Sequence, residues 1–504
     1  MDTLLGIDLG SSSIKLILVD RHGKVVDATA KEYVIHSRSM GWAEQNPEDW
    51  LAALKEGIEE LRSHHPEWIS HLKGIGITGQ MHGLVPVGQD GKPVSYAMIW
   101  ADRRCEEEVQ ELENRIPLET WVEITGSRPH VSFTLPKILW MRRNQPDLFA
   151  KTSYYLLPKD YIRYVLTGIF ATDVTDASAT LMFDIKKRQW SQTILQSFDL
   201  DVQKLPKTYP SISQVGRLTV SAAEWLGLNP GIPVICGAGD AEAQAIGNGV
   251  VNPGTWLCTI GTGGQIFTPV TTEVTDRQGR IHTFCHGVEG VWHLMGATLS
   301  AGMSLQWIAR HILNLEGQDA YGELMKLVQS VSPGSKGLIY LPYLFGERTP
   351  YMDNKAKGAF IGLGFHHTRK EMVRAVLEGV LFSLRQSIDV IQEIGISPPA
   401  SMILTGGAAE SSIWRQMAAD IFGIPVSRCT SRSGSAYGAV ILAAVGLGWF
   451  PDVQSAADSW IHITDTTYPD RAVHQRYQSF YSIFRESYRD LRNTFLKIDA
   501  LMND

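Results

Sequence analysis

Apolar and polar positions alternate in short blocks from the first residues of the chain. Leu4-Leu5-Gly6-Ile7 ends on Asp8, Gly10-Ser11-Ser12-Ser13 makes a turn, and Lys15 to Val19 forms a second apolar run. Asp20-Arg21-His22-Gly23 turns again before Val25-Val26. β-Branched and apolar runs divided by turn residues predict an antiparallel meander. Asn46-Pro47-Glu48-Asp49-Trp50 then opens a helix, with a capping side chain, proline in the first turn and acids at the N-terminus. Leu51, Leu54, Ile58 and Leu61 continue it at helical spacing. The strand Gly74 to Ile77 runs into the loop Gly79-Gln80-Met81-His82-Gly83.

The opening device returns past Gly231. Val234-Ile235-Cys236 leads into Gly237-Ala238-Gly239-Asp240, and Thr255 to Ile260 turns at Gly261-Thr262-Gly263-Gly264 into Gln265-Ile266-Phe267. Strand, small-residue turn and strand thus head each half of the chain. This predicts two duplicated α/β domains, residues 1–248 and 249–504, facing each other, with the turn Asn252-Pro253-Gly254 near the boundary. In the second half an amphipathic helix is expected from Glu371 to about Glu393. The strand Met402-Ile403-Leu404, the turn Thr405-Gly406-Gly407 and a helix from about Ser411 follow it.

Composition narrows the class. At roughly 100–200 residues per domain, 504 residues make two to four folding units. With 44% hydrophobic and 20% charged residues, a mostly disordered or fibrous chain is excluded. The net charge of −7 has no single-sign block behind it, so a nucleic-acid partner is not expected. Cys105, Cys236, Cys258, Cys285 and Cys429 lack the close spacing of zinc or redox pairs and are expected buried and reduced. The N-terminus has no signal-peptide pattern, and the apolar stretch Tyr437–Phe450 is too short and glycine-broken for a membrane span. It reads as a buried helix in a cytoplasmic protein with no membrane partner.

Three loops invite phosphate. In Asp8-Leu9-Gly10-Ser11-Ser12-Ser13, small residues let backbone amides approach phosphate oxygens and a strand-end carboxylate can serve magnesium. It lacks the glycine-lysine-serine of a Walker loop and is followed by a strand, unlike a dinucleotide fingerprint. Gly261-Thr262-Gly263-Gly264 offers a second donor loop, and Gly406-Gly407-Ala408-Ala409 a surface on which a purine or ribose can lie.

Longer motifs surround these loops. They are Ser132-Phe133-Thr134-Leu135-Pro136-Lys137 continuing to Asn144, and Gly358-Ala359-Phe360-Ile361-Gly362-Leu363 continuing through Glu371-Met372 to Ala375-Val376-Leu377-Glu378. Gly41-Trp42-Ala43-Glu44-Gln45, Gln80-Met81-His82-Gly83, Leu157-Pro158-Lys159-Asp160-Tyr161 and Gly346-Glu347-Arg348-Thr349-Pro350 join them. As a set they resemble the FGGY family of sugar kinases, within the actin-like (ribonuclease H-like) ATPases. The likeness is strongest to the branch that acts on D-xylulose, and it spans nearly the whole chain. The resemblance implies two actin-like domains with ATP and sugar in the cleft between them. It makes Asp240 the base that takes the proton of the terminal hydroxyl, and Asp8 the acid that serves Mg2+, largely through water. It places Met81 and His82 on the sugar, with Trp100 and Asp102 as pocket or supporting residues. ATP is assigned to Gly10, Ser11, Ser12, Ser13 and Lys15, to Gly261, Thr262 and Gly263, to Gly302 and Gln306, and to Gly406, Gly407 and Ser411. A homodimer is compatible with it, since members of the family are often dimers.

Three departures from the family pattern stand out. Ala241 follows Asp240 where an asparagine that contacts sugar is common, the second loop reads Gly-Thr-Gly-Gly in place of Gly-Thr-Ser-Gly, and Ser433-Gly434-Ser435-Ala436-Tyr437-Gly438 departs from a small-residue run near the nucleotide. The expected reaction is transfer from ATP to the terminal hydroxyl of D-xylulose. Another ketopentose or polyol (ribulose, L-xylulose) is the alternative because of Ala241. An actin-like nucleotide switch without sugar chemistry is the rival from another class.

Overall fold

The computed structural model describes residues 2–315, 317, 320–430 and 434–503; Ser433, named above, lies outside the described residues. The expected meander is β1 (Thr3–Leu9), β2 (Ser13–Asp20) and β3 (Val25–Glu32), with Asp8 paired opposite Lys15. Helix α1 (Pro47–His64) starts where the sequence places it, because the Asn46 side chain accepts the Glu48 N–H and Pro47 needs no partner. It buries Trp50, Leu54, Ile58 and Leu61 against the sheet. After β4 (Leu72–Gly79) comes α2 (Pro158–Thr167), then β5 (Gln214–Arg217), β6 (Pro233–Ile235) and β7 (Ala238–Gly239). These strands make one sheet in the order β5-β6-β4-β1-β2-β3, with β7 beside the end of β4.

Helix α3 (Asp240–Gly247) leads to the second sheet. Its strands are β8 (Trp256–Ile260), β9 (Gly264–Val270), β10 (His282–Cys285), β11 (Trp292–Thr298), β12 (Met402–Thr405), β13 (Val426–Cys429) and β14 (Ile463–Thr467). Their order is β10-β11-β9-β8-β12-β13-β14. The path β3-β2-β1-β4-β6 is thus repeated as β11-β9-β8-β12-β13. Two antiparallel and then two parallel neighbours occur in each. The duplication expected from one shared turn extends to the strand order.

The helices of the second half are α4 (Gly302–Trp307), α5 (Arg369–Glu393), α6 (Ser412–Phe422), α7 (Gly434–Gly446) and α8 (Arg471–Asn503). α5 begins with a Thr368–Glu371 capping box, two residues before the first one expected. The apolar run at Tyr437 is a buried helix, α7, and no helix among the described residues is long and apolar enough to cross a membrane.

Two helices change partners. Ala245 of α3, from the first half, packs with Leu257, Phe267 and Ile403 of the second sheet. Ala436 and Val440 of α7, from the second half, pack with Leu4, Ile17 and Val19 of the first sheet. Side-chain-free positions permit this crossing: a Cβ on Gly438 would overlap the Ala243 carbonyl, and one on Gly76 the Ala439 carbonyl. Four cysteines are buried as expected. Cys429 departs from the expectation: it is half-buried in β13, and its thiol donates to Asn248 Oδ1 at 3.2 Å.

Candidate active site

Strand β1 and the start of α3 bring two carboxylates, Asp8 and Asp240, within electrostatic reach of each other; Asp240 lines a cavity and Asp8 lies outside its lining. Asp8 ends β1, and the Ser435 hydroxyl at the start of α7 donates to its Oδ2. Asp240 opens α3 three residues after Gly237, whose φ of +84° and contact with the Ile77 carbonyl leave no room for a side chain. Burial and then the charge of Asp8 push Asp240 up to about 7, against the lowering effect of backbone N–H groups at the helix start. Burial also raises Asp8, opposed by the Ser435 hydrogen bond and the charge of Lys15. A cavity of about 290 Å³ is lined by Asp240, Ala241, Gln244, Trp100, Gly261–Gly264, Gln265 and Arg348, among others.

The second phosphate loop forms one wall of this cavity and is built on α4. Gly302 N–H donates to the Gly261 carbonyl (2.8 Å) and Met303 N–H to that of Thr262 (3.1 Å). A Cβ on Gly302 would overlap the Gly261 carbonyl, so the approach requires glycine. A neighbouring cavity of about 470 Å³ gathers Gly261, Thr262, Gly302, Gln306 and Gly407 with Arg310, Tyr321, Ala408 and Trp414. Its apolar walls and backbone edges suit a nucleoside. Gly406, at φ +86°, makes the turn behind it. Ser411 caps α6 by accepting the Trp414 N–H and is not part of the wall.

The first loop is pinned at the rim. Trp100 Nε1 donates to Ser11 Oγ (2.7 Å), Gln45 Nε2 donates to the Ser11 carbonyl (2.6 Å), and Gly10 N–H closes on the Ser13 carbonyl (3.0 Å). Of this side only Trp100 lines the cavity; Gly10, Ser11, Ser12, Ser13 and Lys15 stand outside both walls. Lys15 acts on Asp8 through its charge.

On the sugar side, Met81 is buried against Gly239 and clusters with Ala241. His82 has φ +67° and sits edge-on to Phe133 at 4.7 Å, with Nδ1 2.7 Å from the Ala179 carbonyl. Burial holds it neutral, so Nδ1 carries the proton toward that carbonyl and Nε2 is an acceptor. Asp102 is a supporting residue. Its carboxylate accepts from the Ala43 N–H (2.7 Å) and from Arg104 Nε (2.9 Å), and it lines neither cavity.

Sequence reasoning named Lys159 and Arg348 only as parts of motifs. Lys159 Nζ is buried among Asp160 (2.6 Å), Asp173 (2.8 Å) and Asp176 (3.0 Å). Thr175 Oγ1 donates to Asp173 Oδ2 (2.6 Å) and accepts the Gly239 N–H (2.8 Å), so this network grips the residue before Asp240. Arg348, Gln244 and Gln265 carry no signal of their own, because the loop and strands that hold them meet Asp240 only in three dimensions.

Among the described residues no group of three or more His, Cys, Asp or Glu side chains forms a metal cage. Asp8 and Asp240 are hard oxygen donors whose negative charges oppose each other. Asp8 fits an Mg2+ ion that keeps most of its water and takes further oxygens from phosphates.

A cavity lined from two copies of one α/β fold, with a glycine-rich loop from the second half and the carboxylate of Asp240 from the first, fits a two-domain phosphotransferase. This chain belongs to the FGGY family of carbohydrate kinases: residues 3–247 match its N-terminal domain and residues 256–447 its C-terminal domain. It is 37% identical to the xylulose kinase of Bacillus subtilis over 500 residues, 99% of both chains. It is 30% identical to the gluconokinase of the same organism over 503 residues, 98% of this chain and 97% of the other. The crystal structure of ligand-bound xylulose kinase from Lactobacillus acidophilus superposes with a TM-score of 0.92 at 26% identity, covering 99% of this chain and 100% of that one. The chain is a xylulokinase-like carbohydrate kinase.

Proposed function

We propose that the chain transfers the γ-phosphoryl group of ATP to the terminal hydroxyl of D-xylulose, giving D-xylulose 5-phosphate and ADP. The observation that carries this reading is Asp240, held at about 7 in the cavity walled by Gly261–Gly264. A carboxylate with that pKa is ionised in part at neutral pH and accepts a hydroxyl proton readily as the phosphoryl group arrives. Thr175 and the network beneath it fix the backbone that presents the carboxylate. Gly261–Gly264 and the start of α4 supply amides to the phosphates, and Asp8 would hold Mg2+. When bound, the ion neutralises phosphate charge. Met81 and His82 face the sugar, and the larger cavity takes the adenosine.

The names of the xylulose kinases support the ketose. A sugar acid is the second reading, favoured by the likeness to a gluconokinase and by the unpaired Arg348 in the cavity. A coupled ADP-release assay with D-xylulose, D-ribulose, L-xylulose, xylitol and D-gluconate separates them. The highest kcat/KM is expected for D-xylulose; a higher value for any other acceptor overturns the assignment.

A further inference from the structure

Arg348 is a buried cation without a counter-ion. Its Nε has no hydrogen-bond partner, and among the described residues Glu347 is the only acid whose charge reaches it. The Glu347 carboxylate is engaged elsewhere, by Thr298 Oγ1 (2.7 Å), Ser383 Oγ (2.7 Å) and the Arg348 backbone N–H (2.8 Å). Burial brings Arg348 down to about 10, a sign of how poorly its charge is compensated. The surroundings add no anion. His82, His130 and His282 are each kept neutral first by burial, with the charge of Arg348 acting in the same direction, and Lys137 is also within its reach.

Arg348 and Asp240 line one cavity, and among the described residues no ion pair within 4.0 Å joins them. The cavity therefore holds two chemically different groups: the Asp240 carboxylate beside Gly261–Gly264, and the donor-only guanidinium of Arg348, behind which lie neutral imidazoles. A guanidinium has five N–H donors and no acceptor. It is satisfied best by an oxygen that brings no competing hydrogen, bidentately when that oxygen belongs to a carboxylate. His82 Nε2, behind the cavity lining, is free to accept a hydrogen bond from a hydroxyl. Ala241 offers no hydrogen bond beside Asp240, which leaves recognition of the substrate to groups such as these.

We propose that Arg348 is a specificity-determining residue that binds an sp2 oxygen at the end of the substrate remote from the phosphorylated hydroxyl. Such an oxygen is the carbonyl of a ketose or the carboxylate of an aldonate, and the polyol of the same length lacks it. The proposal rests on the reading of Asp240 as the place of the reacting hydroxyl.

Binding of D-xylulose, D-xylonate and xylitol to the wild type, Arg348→Gln, Arg348→Lys and Asp240→Asn, measured by calorimetry without ATP, tests it. Loss of a hydrogen bond to a charged group corresponds to about 10- to 100-fold. Arg348→Gln is expected to weaken D-xylulose and D-xylonate by at least about tenfold and xylitol by less than about threefold, with Arg348→Lys between. Unchanged ADP affinity shows that the variants are folded. Equal weakening of all three ligands, or of none, overturns the proposal. Asp240→Asn should lose turnover and keep the wild-type ratio of ketose to polyol binding. Wild-type binding of D-xylonate but not D-xylulose overturns the ketose reading and supports the role of Arg348. Binding of none of the three overturns both.

Discussion

Burial and the charge of Asp8 that hold Asp240 at about 7 also act against the fold. The carboxyl is neutral in the folded protein up to about pH 7 but ionises near its ordinary value of 3.8 in the unfolded chain. The penalty is absent below about pH 4, grows as pH rises to about 7 and is constant above it. At about 1.4 kcal/mol per unit it reaches at most about 4 kcal/mol. Asp240→Asn should therefore raise the melting temperature at pH 8 clearly more than at pH 5, read by scanning calorimetry. An equal shift at both pH values would show that the carboxylate carries no such penalty. The same ionisation should appear as an acid limb near pH 7 in the kcat/KM profile of the wild type.

The crossing of α3 and α7 depends on the absence of side chains where they meet. Gly438→Val places a branched side chain against the Ala243 carbonyl and is expected to destabilise by about 1–3 kcal/mol or more, measured by urea unfolding. Thr175→Val removes the hydroxyl that joins Asp173 to the Gly239 N–H. A roughly fivefold fall in kcat with KM nearly unchanged is expected, because the bond is worth about 1 kcal/mol and holds the backbone of the base. Thr175→Ser should recover most of the rate, and a change confined to KM would argue against a positioning role. The elements themselves were legible: turn residues marked β1–β3 and β8–β9, and Asn46-Pro47 marked the start of α1. The exchange of α3 and α7 between sheets was not, since an apolar helix looks the same whichever sheet it covers. For the same reason Asp8 could be named from its strand-end position and Asp240 from the family resemblance, while Arg348 became a candidate only once its loop was placed. Ser411 and Asp102 were named from their neighbours in sequence; their side chains cap a helix and anchor Arg104.

At the scale of the molecule, the cavity takes its groups from both halves: Trp100 and Asp240 from the first, Gly261–Gly264, Gln265 and Arg348 from the second. An acceptor that touches both sides favours the closed arrangement, which excludes water from the phosphoryl group. ADP release without sugar should be at least about a hundredfold slower than with it, given that general-base assistance alone contributes about 10²–10⁴. Comparable rates with and without sugar would favour a nucleotide switch. The most direct test is sugar-dependent ADP release by Asp240→Asn at pH 8, with ATP binding followed by calorimetry in the same preparation. The account predicts a rate at least about a hundredfold below wild type with ATP affinity retained; turnover near the wild-type rate would contradict it.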